Sequence, residues 1–189
     1  MDFKSYKSLI NSTLDSANNA EIEKFLDLLV DAYKNDKFVF IMGNGGSAAN
    51  ASHLAQDLAK GTCTSKDQTR RLKALSLTDN IPFITAQGND EGYESIFEQQ
   101  LRTYANAGDY VIAISGSGNS PNIITAIEWA NKNGLTTIGF TGYDGGKLKK
   151  ISHHSVNVVL NDMCTAESIH SIIFHYAILE LRERFKNLN

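Results

Sequence analysis

The sequence predicts an α/β fold, a three-layer sandwich around a five-stranded parallel sheet of flavodoxin-like order, preceded by N-terminal helices. Three observations predict it. Short apolar runs suited to strands alternate with segments of helical periodicity. Two of those runs lead into loops of Gly, Asn and Ser that open helices. No linker, low-complexity tract or long charge run interrupts the 189 residues, a length that suits one core. Residues 1–189 therefore read as one domain, with helices over 1–35 and an α/β core over 36–189.

The elements follow in order. Residues 3–35 read as two helical pieces broken near "SANNAE". The second places Ile22, Phe25, Leu26, Leu29 and Val30 on one stripe. Strands are expected at 37–42, 73–78, 109–115, 135–141 and 154–160. Helices are expected at 47–60, 93–105, 119–133 and 165–187, with a short one near 80–87. Strands separated by helical patterns pair in parallel and bury both faces under helices. Five of them suit the order 2-1-3-4-5, with ligands at the carboxyl ends of the strands.

Composition removes several function classes. The net charge of −3 offers no basic field for nucleic acid. No apolar run approaches the ~20 residues of a membrane span, and "MDFKSYKSLINSTLDS" lacks the apolar stretch of a signal peptide. Cys63 and Cys164 have no metal spacing and suggest no disulfide framework. The expected setting is the reducing cytoplasm.

The informative stretches are "FIMGNGGSAAN" (40–50) and its echo "AISGSGNSPNI" (113–123). Each reads as strand, loop, helix start. Ser120 is placed to cap the second helix and Pro121 to begin it. A nucleoside-triphosphate loop needs Lys after its last Gly, and none follows Gly46. Gly43, Gly45 and Ala48 fit the loose dinucleotide pattern, but the ribose-binding acid ~20 residues on is missing from the end of the next strand. The remaining reading is a single phosphate. Asn44, Gly45, Gly46 and Ser47 in the first loop, and Ser115, Gly116, Ser117 and Ser120 in the second, supply hydroxyls and helix-start N–H groups without a cation. Taken singly, either loop reads as a tight βα turn; the matched pair points to a phosphate held between them.

Two helices carry groups fit for proton transfer. His53 and Asp57, at i and i+4, share a face, while Ala48, Ala51, Leu54, Ala55 and Leu58 point towards the sheet. On spacing alone the pair also reads as a local ion pair on a solvated face. The last helix, "TAESIHSIIFHYAILELRERF", is apolar nearly all round, as for a buried helix that also meets another subunit. It carries Glu167, His170 and His175. Each has a structural alternative: a first-turn acid suited to the dipole, and core histidines.

"GNGGSAANASH", "GNDEGYE", "ISGSGNSPN" and "GFTGYDGGKL" together resemble the sugar isomerase (SIS) domain, most closely its phosphoheptose isomerase branch, over residues 37–180. The resemblance implies a cytoplasmic homotetramer that interconverts sedoheptulose 7-phosphate and an aldoheptose 7-phosphate at sites between subunits. It aligns His53, Asp57, Glu167 and His175 with a site that binds zinc in several members, Asp57 replacing Glu and Glu167 replacing Gln. It implies Asp57 as base and His175 as acid, with Glu167 a rival base. Two imidazoles and two carboxylates make a stronger divalent-metal set than one containing an amide, so zinc is expected there. Asp90, in "GNDEG", matches a position that holds a sugar hydroxyl and also reads as a turn acid. Three positions depart from the branch: Ser115-Gly116-Ser117 replaces Ser-Thr-Ser, Cys164 stands for an Asp, and Gly61 for an Arg. SIS domains also serve as sugar-phosphate sensors, so a non-catalytic binding module acting through protein contacts is the alternative function.

Overall fold

The computed structural model describes residues 1–188. Two N-terminal helices, α1 (Phe3–Asp15) and α2 (Asn19–Lys34), lead into five strands: β1 (Phe38–Gly43), β2 (Lys73–Ser76), β3 (Tyr110–Ser115), β4 (Thr136–Thr141) and β5 (His154–Asn157). Every adjacent pair is parallel, in the order β2-β1-β3-β4-β5. The connections hold α3 (Gly46–Gln56), α4 (Ile81–Asp90), α5 (Glu98–Tyr104), α6 (Pro121–Lys132) and α7 (Gly146–Ile151), and α8 (Met163–Lys186) closes the chain. Both the expected order and the expected class hold.

Alternation along the strands builds two cores. Val39, Ile41, Ile112, Ile114, Ile138 and Phe140 face α2, α3 and α8. Phe40, Met42, Val111 and Ala113 face α5 and α6 on the other side. Each buried aliphatic side chain contributes about 1.5–3 kcal/mol, so register is fixed from both faces of the sheet. The stripe expected on α2 is the buried one: Ile22, Phe25, Leu26 and Leu29 lie in the first core, with Val30 at its edge.

The differences from expectation are local. α7 was not expected; a helix of six residues, opened by Gly145 at φ 90°, is too short for periodicity to reveal. Residues 93–105 form a 3-10 turn (Tyr93–Ser95) and then α5 rather than one helix. The helix after β1 does not run evenly to residue 60. It changes at Asp57 into a π-turn, Asp57–Gly61, whose last carbonyl accepts a hydrogen bond from Arg182 Nε. Such turns inside helices recur at functional sites. Ser120 is at the N-cap of α6 but its side chain makes no capping bond. The Ile123 N–H already bonds the Asn122 side chain at 3.0 Å, and Pro121 has no N–H to offer.

His170 is one of the core histidines. It is buried between Phe140 and Phe174, and its Nε2–H donates to the Thr141 carbonyl at 3.1 Å. Nδ1 has no hydrogen-bond partner among the described residues. Burial therefore pushes its pKa down from 6.5 to about 4. The folded chain keeps this ring neutral while the unfolded chain protonates it, so the unfolded state binds more protons between those values. Stability is lost as pH falls from 6.5 towards 4, by on the order of 3 kcal/mol. Urea unfolding of the wild type and His170→Leu at pH 7 and pH 4 is expected to show a smaller acid loss in the variant. Equal losses would contradict this account of His170.

Candidate active site

Both Gly/Ser loops sit at the carboxyl edge of the sheet, at the ends of adjacent strands β1 and β3. That edge is where the chain reverses its direction of strand addition, and open parallel sheets bind ligands there. The loops enclose a cleft of about 370 Å³ lined by Asn44, Gly45, Gly46, Ser47, Ser115, Gly116, Ser117 and Ser120 with Ile114, Met163 and Glu167. All eight phosphate-site residues expected from the sequence therefore line one cavity. No Lys or Arg is among its lining residues. Ser115 Oγ and Ser120 Oγ stand 3.3 Å apart, and the hydroxyl that does not cap α6 is turned towards the cleft partner instead.

Backbone conformation explains the glycines. Gly45, at the N-cap of α3, has φ 54° and ψ −122°, a region that suits glycine. A Cβ on Gly43 would lie 2.5 Å from the Ser47 carbonyl oxygen, so the strand end and the first helical turn meet only through glycine. Ser47 is buried with its hydroxyl bonded to Glu167 Oε1 at 3.1 Å.

A cross-brace joins the loops. Asn44 and Asn122 exchange side-chain amide bonds, both at 2.9 Å, and the Tyr93 hydroxyl donates to Asn44 Oδ1 at 3.0 Å. Neither Asn122 nor Tyr93 was expected from the sequence. Asn122 follows Ser120 by two residues inside the motif, and Tyr93 lies in "GNDEGYE", so the motifs contained them without signalling a role.

A second cluster lies further along α3 and α8. His53 Nε2 is 3.3 Å from Asp57 Oδ2, and His175 Nε2 is 4.0 Å from the same oxygen. The two imidazoles meet edge to face with centroids 5.0 Å apart. One ligand atom from each of the three residues lies within 4.8 Å of the others. Two imidazoles and a carboxylate leave an open position on a tetrahedral ion, the donor pattern of catalytic zinc, so these residues fit such a metal. The side chains of His53 and His175 are 51% and 55% exposed, against 21% for Asp57.

The expected set of four does not assemble whole. Glu167 is eight residues before His175, about 12 Å along the helix axis, and its side chain lines the serine-loop cleft. It is outside the cluster that brings His53, Asp57 and His175 together. Asp90 ends α4 on the surface, where its carboxylate accepts from Asn89 Nδ2 at 2.8 Å; it does not line the cleft.

The chain matches the SIS domain family model over residues 3–142. It is 38% identical to the phosphoheptose isomerase of Citrifermentans bemidjiense over 175 residues, 93% of this chain and 89% of the relative. It is 32% identical to that of Helicobacter pylori over 188 residues, covering 100% of this chain and 96% of the relative.

The chain belongs to the SIS-domain family, in its phosphoheptose isomerase branch.

Solved members of that branch share its shape. The phosphoheptose isomerase of Francisella tularensis superposes with a TM-score of 0.87 at 26% identity, covering 96% of this chain and 94% of that one. The Neisseria gonorrhoeae phosphoheptose isomerase gives 0.81 at 29% identity, covering 93% and 90%. The agreement in fold runs over nearly the whole chain.

Proposed function

We propose that this SIS-domain chain is an aldose–ketose isomerase of a phosphorylated sugar, converting sedoheptulose 7-phosphate to an aldoheptose 7-phosphate. The observation that carries the proposal is the meeting of His53, Asp57 and His175 on α3 with its π-turn and on α8, the same two helices that border the cation-free, serine-lined cleft. A phosphate receptor needs only the cleft. A carboxylate between two imidazoles is the equipment for moving protons.

The reaction then divides between the two places. The phosphate is held by the hydroxyls of Ser47, Ser115, Ser117 and Ser120 and by N–H groups at the starts of α3 and α6. The Asp57 carboxylate takes a proton from C1 of the ketose while His175 supplies one to the C2 oxygen. The C1 electron pair becomes the C1–C2 double bond of an enediol. Return of a proton to C2 and loss of the O1 proton leave an aldehyde at C1. Asp57 is favoured as the base because Glu167 lies with the phosphate loops. His53 holds Asp57 from the other side. A zinc ion held by His53, Asp57 and His175 would, when bound, supply Lewis acidity towards the sugar's oxygens in place of the His175 proton.

Exposed imidazoles are poorly placed to exclude water from an enediol. Ile172, Tyr176 and Leu179 flank His175 on α8 and are 41%, 45% and 61% exposed. A second copy packed on this strip would close the site, and the proposed assembly is a homotetramer with sites between subunits. Asp90 is the proposed holder of a sugar hydroxyl. The proposed location is the cytoplasm; no helix among the described residues is long and apolar enough to cross a membrane.

The test is turnover of sedoheptulose 7-phosphate by the purified chain, followed by chromatography of the products. Conversion to aldoheptose 7-phosphate is expected, with the unphosphorylated ketose at least about a hundredfold poorer because the cleft's binding energy is lost. Phosphate-dependent binding without conversion would support the sensor reading instead.

A further inference from the structure

Glu167 puts a negative charge inside an anion site. Its Oε1 accepts the proton of Ser47 Oγ at 3.1 Å, and its main-chain carbonyl accepts from Asn50 Nδ2 at 3.1 Å. Both bonds tie the start of α8 to α3. The carboxylate also lies hard against the loop: a Cβ on Gly46 would fall 2.2 Å from Oε2 and 2.8 Å from Oε1. A side chain at 46 would push the carboxylate from this position. Ser47 is buried with a single hydroxyl proton, and Glu167 already has it. Among the residues lining the cleft there is no Lys or Arg to offset the charge.

We propose that Glu167 is an internal competitor for the phosphate site. Its carboxylate satisfies the first loop's buried donor while the cleft is free of ligand, and it must leave Ser47 when a phosphate arrives. It thereby weakens binding of free phosphate and of small phosphoesters. A substrate overcomes that cost only when the rest of its chain makes further contacts, as a long phosphorylated sugar does and inorganic phosphate does not. Glu167 is on this account a specificity-determining residue.

The inference rests on the phosphate reading of the cleft, and one titration separates the two. Inorganic phosphate is titrated by calorimetry into the wild type, Glu167→Gln and Glu167→Asp, each checked for native circular dichroism. Gln keeps the length and removes the charge; Asp keeps the charge and draws it back from Ser47. A carboxylate a few ångströms from a dianion in a partly hydrated cleft weakens binding by about tenfold or more. Glu167→Gln is therefore expected to bind phosphate at least about tenfold more tightly than the wild type, with Glu167→Asp between them. Equal dissociation constants in all three would overturn the role of Glu167 and leave the phosphate site standing. No phosphate binding by any of the three would overturn both.

Discussion

Asp57→Asn is expected to lower the turnover number for sedoheptulose 7-phosphate by about a thousandfold, while KM changes by less than about threefold. The amide keeps the size of the side chain and its position at the start of the π-turn after α3 but cannot take a proton from carbon. The phosphate contacts come from other residues, several turns away, so ground-state binding is left nearly intact. A positioned general base contributes ~10²–10⁴ in rate, and the expected loss lies within that range. The measurement is steady-state kinetics of the purified variant, with the wild type as reference. A rate within tenfold of wild type would mean that the proton is taken elsewhere. Glu167, the other acid near the substrate path, would then be the group to replace next.

The second large effect concerns metal. Chain purified without added metal is expected to carry about one zinc per protomer, and His175→Ala to retain less than about a tenth of it. Removing His175 leaves only His53 and Asp57 on one helix, too few to hold zinc against dilution. Elemental analysis of both proteins decides the matter. Equal zinc in the two would show that His53, Asp57 and His175 do not form the binding site. Glu167→Gln serves as a control, since its carboxylate lies with Ser47 and not with the cluster; its zinc content is expected to match the wild type.

Much of this was legible in the sequence. Alternating strand and helix patterns revealed five parallel strands and their order, because the central strands are buried on both faces and each long helix on one. The serine loops were legible because the same local solution occurs twice. What sequence patterns missed depends on contacts rather than on period. The Asn44–Asn122 brace joins residues 78 positions apart, and nothing in either loop alone announces the other. The π-turn at Asp57 arises within a segment whose residues suit an ordinary helix. Glu167 shows the limit of alignment most clearly. The resemblance aligns it with His53, Asp57 and His175, while its carboxylate accepts from the Ser47 hydroxyl, outside that cluster. His170 and His175 are five residues apart on the same helix. One is a buried neutral ring and the other an exposed cluster member, a difference that only packing reveals.

In the proposed mechanism the serine cleft anchors a phosphate while the Asp57 carboxylate moves a proton at the far end of the sugar. Incubation with sedoheptulose 7-phosphate in deuterium oxide, followed by NMR of the sugar, tests it most directly. The account expects deuterium to enter at C1 and C2 with the wild type and not with Asp57→Asn. Exchange undiminished in the variant, or no exchange with the wild type, would contradict it.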